Sequence, residues 1–328
     1  MIGVGILGAG FFGEFHARAV RAVDGVEVRA VCANPMAEAE VFAKQYGGTA
    51  YDDWRELIAD SSVDAVVVAT PHHLHAPMVI AALEAGKHVL VEKPMALSVA
   101  ECDAVIAVSR KANTTLMVGH ILHFAKPCLV AQDILARGEL GRPLAASSSL
   151  VKFWMEENRR GWHLDPATGG GMLMTAGIHA LDALLWFMGG EVKQISAAGG
   201  ALFHEQKADD SLMLLVRFDD NRIGQVASVA YRDGAGSYGI DLICERGALR
   251  VDFNTGVSIG HDNIWTPVPD SAEPDWMQRA VEGEWQAMVT CIRDSAPPVV
   301  DGAYGRKVIS CIAAALTSAR ESREVVPQ

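Results

Sequence analysis

Seven residues near the start, Leu7-Gly8-Ala9-Gly10-Phe11-Phe12-Gly13, carry glycines at GxGxxG spacing. They lie between the apolar run Gly3–Leu7 and the helical pattern Glu14–Val20. In this setting Gly8 permits a tight turn and Gly10 lets backbone approach a pyrophosphate. Gly13 lets the helix pack on the strand, with its first amides facing the anion. Phe11 and Phe12 fall inside the same turn. An Asp or Glu about 20 residues further on would bond a ribose 2'-hydroxyl in an NAD site, and an Arg there would suit the phosphate of NADP. The second strand instead ends Val31-Cys32-Ala33-Asn34, placing Ala33 and Asn34 at the ribose. Asn34 can bond that hydroxyl without repelling a phosphate, so NAD and NADP both remain open.

Two further side chains have types suited to moving a proton. Lys93 closes an apolar strand in His88-Val89-Leu90-Val91-Glu92-Lys93-Pro94, at the carboxyl edge where ligands of open α/β sheets bind. Its ammonium there can bind a substrate oxygen, and a positive nicotinamide ring would lower its pKa. A surface lysine at a strand end fits the same residues. His179 follows Gly169-Gly170-Gly171 on a helical pattern, with Thr175 four residues before it and Asp182 three after. An imidazole exchanges protons near neutral pH, and a satisfied core histidine is the alternative. His72, His73 and His75 invite a metal, yet adjacent histidines diverge and no carboxylate or thiolate completes a ligand set, so no metal is expected.

These residues need a scaffold that presents strand ends. Up to about His120, short apolar runs (Gly3–Leu7, Glu27–Cys32, Ala65–Ala69, His88–Val91, Leu116–Gly119) alternate with helical patterns. Strands apolar on both faces and joined by helices predict a doubly wound parallel sheet. Further on, helical segments at Pro127–Arg137 and Gly171–Met188 bracket a strand at Leu144–Phe153. Longer strand patterns follow at Ile195–Phe203, Ser211–Phe218, Ile223–Tyr231, Tyr238–Cys244 and Ala248–Phe253, before closing helices at Trp276–Arg293 and Ala303–Arg320. The fold class is therefore α/β: a Rossmann domain over residues 1–121, then an α+β domain over 122–328 with a large open, mostly antiparallel sheet.

The chain of 328 residues is 50% hydrophobic and 21% charged, which excludes a disordered chain. With 28 basic against 40 acidic residues the net charge is -12, so a nucleic acid partner is not expected. The six cysteines lie far apart without a CxxC, as in reduced thiols of a cytoplasmic protein. The apolar start is broken by Gly3, Gly5, Gly8 and Gly10 and reads as strand and turn, not a leader. No apolar run approaches the ~18 residues a membrane helix requires, so no membrane partner is expected.

Three ordered blocks carry a resemblance: Thr70-Pro71-His72-His73-Leu74-His75, Gly86-Lys87-His88-Val89-Leu90-Val91-Glu92-Lys93-Pro94, and the glycine-led segment Gly169 to Asp182. Together with the glycine turn they resemble the Gfo/Idh/MocA oxidoreductases over essentially the whole chain. The resemblance implies hydride transfer between NAD(P) and a sugar, polyol or related alcohol, with Lys93 and His179 beside the substrate. It implies a cis peptide before Pro94, and a homodimer or homotetramer formed through the open sheet. By the same resemblance Thr70, Pro71, His72, His75 and Glu92 line the cofactor site, and His120, His123, Trp162, His163 and Thr175 line the substrate pocket. The chain departs from the pattern at Thr175, where relatives have Asp, and at His123 and His163, where they have Arg. A dihydrodiol dehydrogenase or aldehyde reductase, an NAD-dependent glycoside hydrolase, and a cofactor-binding sensor without turnover are the alternatives on this scaffold.

Overall fold

The computed structural model describes residues 1–157 and 159–328. Two compact units divide the chain: Met1–Phe124 with Met277–Arg306, and Ala125–Trp276 with Lys307–Gln328.

In the first unit, β1 (Ile2–Leu7), α1 (Phe11–Ala22), β2 (Val26–Cys32), α2 (Met36–Tyr46), β3 (Thr49–Tyr51) and α3 (Trp54–Ala59) form one half. The other half comprises β4 (Ala65–Val68), α4 (His75–Glu84), β5 (His88–Glu92), α5 (Val99–Ser109) and β6 (Leu116–Gly119). The strands make a parallel sheet in the order β3-β2-β1-β4-β5-β6, the doubly wound arrangement predicted by the alternating apolar runs. Ala65, Val66, Val67 and Val68 are fully buried, as expected for a central strand with helices on both faces. Local chemistry sets the helix starts: Asp53 accepts the Arg55 N–H ahead of α3, and Ser98 accepts the Glu101 N–H ahead of α5. The three-residue strand β3 was not predicted, because Thr49-Ala50-Tyr51 is too short to show a period.

The second unit contains α6 (Lys126–Ala136), β7 (Pro143–Phe153), α7 (Ile178–Met188), β8 (Val192–Gly200), β9 (Ser211–Phe218), β10 (Ile223–Tyr231), β11 (Ser237–Cys244) and β12 (Gly247–Asp252). Strands β13 (Gly256–His261) and β14 (Ile264–Pro267) complete its sheet. Two long helices follow: α8 (Trp276–Asp294), which lies in the first unit from Met277 onward, and α9 (Gly302–Glu321), which passes into the second unit at Lys307. The sheet order is β14-β13-β12-β11-β7-β10-β9-β8. It is antiparallel except where β7 runs parallel to β10, Ala145 opposite Ile223 through Phe153 opposite Tyr231. A plain meander does not produce that pairing, since the early strand β7 inserts between two later ones. One face carries α7, whose residues are nearly all buried. On the other, register brings the exposed side chains Met213, Leu215, Ile223 and Ile243 to one side. Among the described residues no helix is long and apolar enough to cross a membrane.

Candidate active site

Register gathers the first set of site residues. Leu7 pairs with Cys32 and with Val68, and Val68 with Val91, so four strands end at one edge. Glu92 closes β5, and Gly8, Ala33, Asn34, Thr70, Pro71 and Lys93 lie just past the strand ends. The glycine turn joins β1 to α1 between β2 and β4, where the strand order reverses. A Cβ on Gly13 would lie 2.0 Å from the Gly8 carbonyl oxygen, so the close strand–helix approach requires glycine. At Gly10 the opposite holds: nothing lies within 4 Å of where a Cβ would stand. Gly10 also begins α1 with no side-chain cap, leaving the helix's first amides to a ligand. A dinucleotide pyrophosphate fits this cradle.

At the ribose position Asn34 is exposed. The neighbouring Cys32 thiol is pushed up to about 11, first by burial and then by the negative charges of Asp53 and Asp52. Those two carboxylates follow β3, which pairs with β2, and Asp53 also pairs with Arg55 Nη1 at 3.3 Å. The position of both acids beyond β3, and not at the end of β2 where an acid is sought, hides them in the sequence.

Lys93 is only 9% exposed, and its ammonium lies 5.7 Å from the Phe12 ring centroid in the glycine turn. The backbone around it is tied on two sides. Its own N–H donates to Glu92 Oε2 at 3.2 Å, and the Lys93–Pro94 peptide is cis. His75 lies with Nδ1 2.7 Å from the Pro94 carbonyl and Nε2 2.8 Å from the Thr70 carbonyl. Burial holds that imidazole below its usual pKa, and a neutral ring donates to one carbonyl at a time. His75 therefore links the Thr70–Pro71 loop to the lysine segment, with the buried His72 ring 5.6 Å away. His120 and His123 are buried too, their rings 5.9 and 5.2 Å from Tyr304 of α9.

The second set lies in the other unit. The glycine triplet leads into a π-type turn over Leu173–Gly177, so Thr175 and His179 are separated by a widened turn and not by regular α-helix. Asp209 fixes that turn: its carbonyl accepts the Met172 N–H, and its carboxylate the Leu173 N–H, both at 2.9 Å. A Cβ on Gly171 would lie 2.5 Å from Asp209 Oδ1, and Gly171 has φ +79°, so no other residue fits comfortably. Burial pushes the Asp209 carboxyl up to about 6. His179 is buried, with its ring 6.3 Å from Tyr238. The Tyr238 phenol is held well above its usual range by burial, then by Cys128 and Asp182. Trp162 and His163 stack at 3.6 Å. Asp209 and Tyr238 escaped the sequence reading, one as part of a polar loop and the other as an ordinary strand residue.

A 3-2-1-4-5-6 parallel sheet with an open glycine turn at its switch point defines a Rossmann dinucleotide-binding protein. Comparison with known proteins takes this further. The profile described as "Oxidoreductase family, NAD-binding Rossmann fold" (GFO_IDH_MocA) matches residues 2–120, and that of the GFO/IDH/MocA C-terminal domain matches residues 128–250. The chain is 30% identical over 225 residues to the 1,5-anhydro-D-fructose reductase of Ensifer adhaerens, covering 67% of each protein. It is 25% identical over 362 residues to the 2,7-anhydro-N-acetylneuraminate hydratase of Mediterraneibacter gnavus, covering 99% of this chain and 96% of that one. Among solved structures, GenD2 from gentamicin A biosynthesis, in complex with NAD, superposes with a TM-score of 0.88. It is 26% identical, with 100% of this chain and 96% of that one covered. The chain belongs to the Gfo/Idh/MocA oxidoreductase family.

Proposed function

We propose that this oxidoreductase transfers a hydride between NAD and the hydroxyl or carbonyl carbon of a sugar, polyol or related cyclic alcohol. The observation that carries this reading is the nearly buried Lys93 ammonium 5.7 Å from the Phe12 ring of the glycine turn, beside the strand end that opens the cofactor cradle. Gly8, Gly10, Phe11, Phe12 and Gly13 hold the pyrophosphate. Ala33 and Asn34 take the ribose, and Thr70, Pro71, His72 and Glu92 border the nicotinamide half. The charges of Asp52 and Asp53 favour NAD over a 2'-phosphorylated cofactor. NAD, when bound, supplies the hydride acceptor. Lys93 binds the substrate oxygen and lowers the cost of its developing negative charge, and His179 exchanges the proton of that hydroxyl. Thr175 stands in the turn that precedes His179, where relatives use a carboxylate. Residues 1–121 serve the cofactor and residues 122–328 the substrate. The exposed side chains Met213, Leu215, Ile223 and Ile243 on the open sheet support a homodimer or homotetramer.

The hydratase among the relatives favours a second reading on the same residues: the sugar would give a hydride to NAD and take it back after water has been added or a C–O bond broken, with no net release of NADH. Incubation with NAD and a panel of sugars, anhydrosugars, polyols and dihydrodiols, monitored at the reduced-nicotinamide band, separates the two. Accumulating NADH supports the dehydrogenase. Conversion of a substrate without NADH supports the second reading, and tight cofactor binding with no conversion of any compound refutes both.

A further inference from the structure

The helix α8 turns a stripe of buried residues inward, Ala280, Val281, Glu284, Trp285 and Met288, and one of them is an acid. Glu284 is fully buried, and neither of its carboxyl oxygens has a hydrogen-bond partner among the described residues. It faces His16 of α1 and Glu92 of β5, with one ligand atom of each of the three lying within 4.8 Å of the others. His16 is fully buried as well, and Glu92 is 4% exposed. Nothing in the hydride-transfer reading uses Glu284 or His16.

Three polar groups in one dry place fit either a divalent cation or a trapped proton, and Trp285 decides between them. Its indole N–H donates to His16 Nδ1 at 3.1 Å, and an indole nitrogen can only donate. His16 Nδ1 must therefore present its lone pair, which puts the ring proton on Nε2. That nitrogen lies 3.0 Å from Glu92 Oε1 and donates to it. A ring so protonated has no lone pair left at Nε2 for a metal. The other oxygen, Glu92 Oε2, accepts the N–H of Lys93 at 3.2 Å. Glu92 is thus held from both sides, and Glu284 stands next to it in the same buried cluster. Burial, and then the charge of Glu92, drive the Glu284 carboxyl well above its ordinary range, which favours its protonated form.

We propose that Glu284 is a positioning residue for the reaction: a protonated, neutral acid buried beside Glu92, which leaves Glu92 seated on the Lys93 backbone N–H. This extends the reading in which Lys93 acts on the substrate oxygen. Loss of the proton places two carboxylates side by side, and their repulsion drives Glu92 off the Lys93 N–H. The titratable groups recorded around Glu284 are Glu92 and His16, so the switch belongs to this cluster.

The first test needs no substrate. Infrared spectra of the intact protein at neutral pH are expected to show the C=O stretch of a protonated carboxylic acid, lost in Glu284→Gln; the same band in both proteins, or in neither, overturns the protonated Glu284. The second test is the pH profile of kcat on whichever alcohol reduces NAD. Glu284→Gln cannot ionise, so its alkaline decline should move to higher pH. Glu284→Leu, which can neither donate nor hold a proton, should lose about tenfold in kcat with an unchanged cofactor KM. A Glu284→Gln profile that superposes on the wild type, or Glu284→Leu at full kcat, overturns the link to Lys93. Stoichiometric zinc uptake that disappears in Glu284→Leu overturns the proton in favour of a cation. If the wild type oxidises no alcohol, the hydride-transfer reading fails and the link to Lys93 with it, while the infrared band alone still decides the proton.

Discussion

Replacing Asp209 by Asn isolates one electrostatic cost and measures it. Asp209 is almost wholly buried, and its carboxylate accepts the Leu173 N–H at the start of the turn that carries His179. Burial raises its pKa from 3.8 to about 6. Because the folded pKa is raised, the group's contribution is fully present below the unfolded pKa, near pH 4. It is lost as pH climbs through about 6, since the unfolded chain ionises first. Two pH units at ~1.4 kcal/mol each give a swing of ~3 kcal/mol. Asn cannot ionise but keeps an oxygen for the Leu173 N–H. The stability of Asp209→Asn relative to the wild type should therefore shift by ~3 kcal/mol in the variant's favour between about pH 4 and pH 7. Urea unfolding of both proteins across that range, followed by the fluorescence of the second unit's tryptophans, measures the difference. A difference that does not vary with pH would refute the assigned burial cost.

Asp52→Asn removes part of the negative field beside the ribose position and should narrow the preference for NAD over NADP several-fold, read as the ratio of the two dissociation constants from cofactor titration. Equal affinities of the wild type for both cofactors would contradict the role given to Asp52 and Asp53. Placing Glu at both Met213 and Leu215 on the open sheet should shift sedimentation velocity from an oligomer to a monomer at the same protein concentration.

Much of the first unit was legible because its signals are local. A glycine turn between an apolar strand and a helical pattern, and apolar runs at regular intervals, are properties of adjacent residues. They fixed the order of elements and the strand ends that carry Gly8, Asn34, Thr70 and Lys93. The parallel pairing of β7 with β10 was hidden because it joins strands that are distant in sequence. The helix expected over Gly171–Met188 opens with a π-type turn because Asp209, from a later loop, ties down Met172 and Leu173. Glu284 shows the same limit at a single residue. On α8 a lone acid reads as a solvent-facing charge, and only the approach of α1 and β5 makes it a buried partner of His16 and Glu92. The contact of His120 and His123 with Tyr304 of α9 was hidden in the same way, since α9 lies far along the chain from them.

That a dinucleotide lies over the glycine turn is tested most directly by Gly10→Val. The Gly10 backbone, at φ -86° and ψ -167°, accepts any residue, and no atom lies within 4 Å of a new Cβ. The variant should therefore melt like the wild type. Its isopropyl group would occupy the space assigned to the pyrophosphate, so NADH affinity measured by fluorescence titration should fall roughly 100-fold, about 2.7 kcal/mol. A normally folded Gly10→Val protein that binds NADH as tightly as the wild type would contradict it.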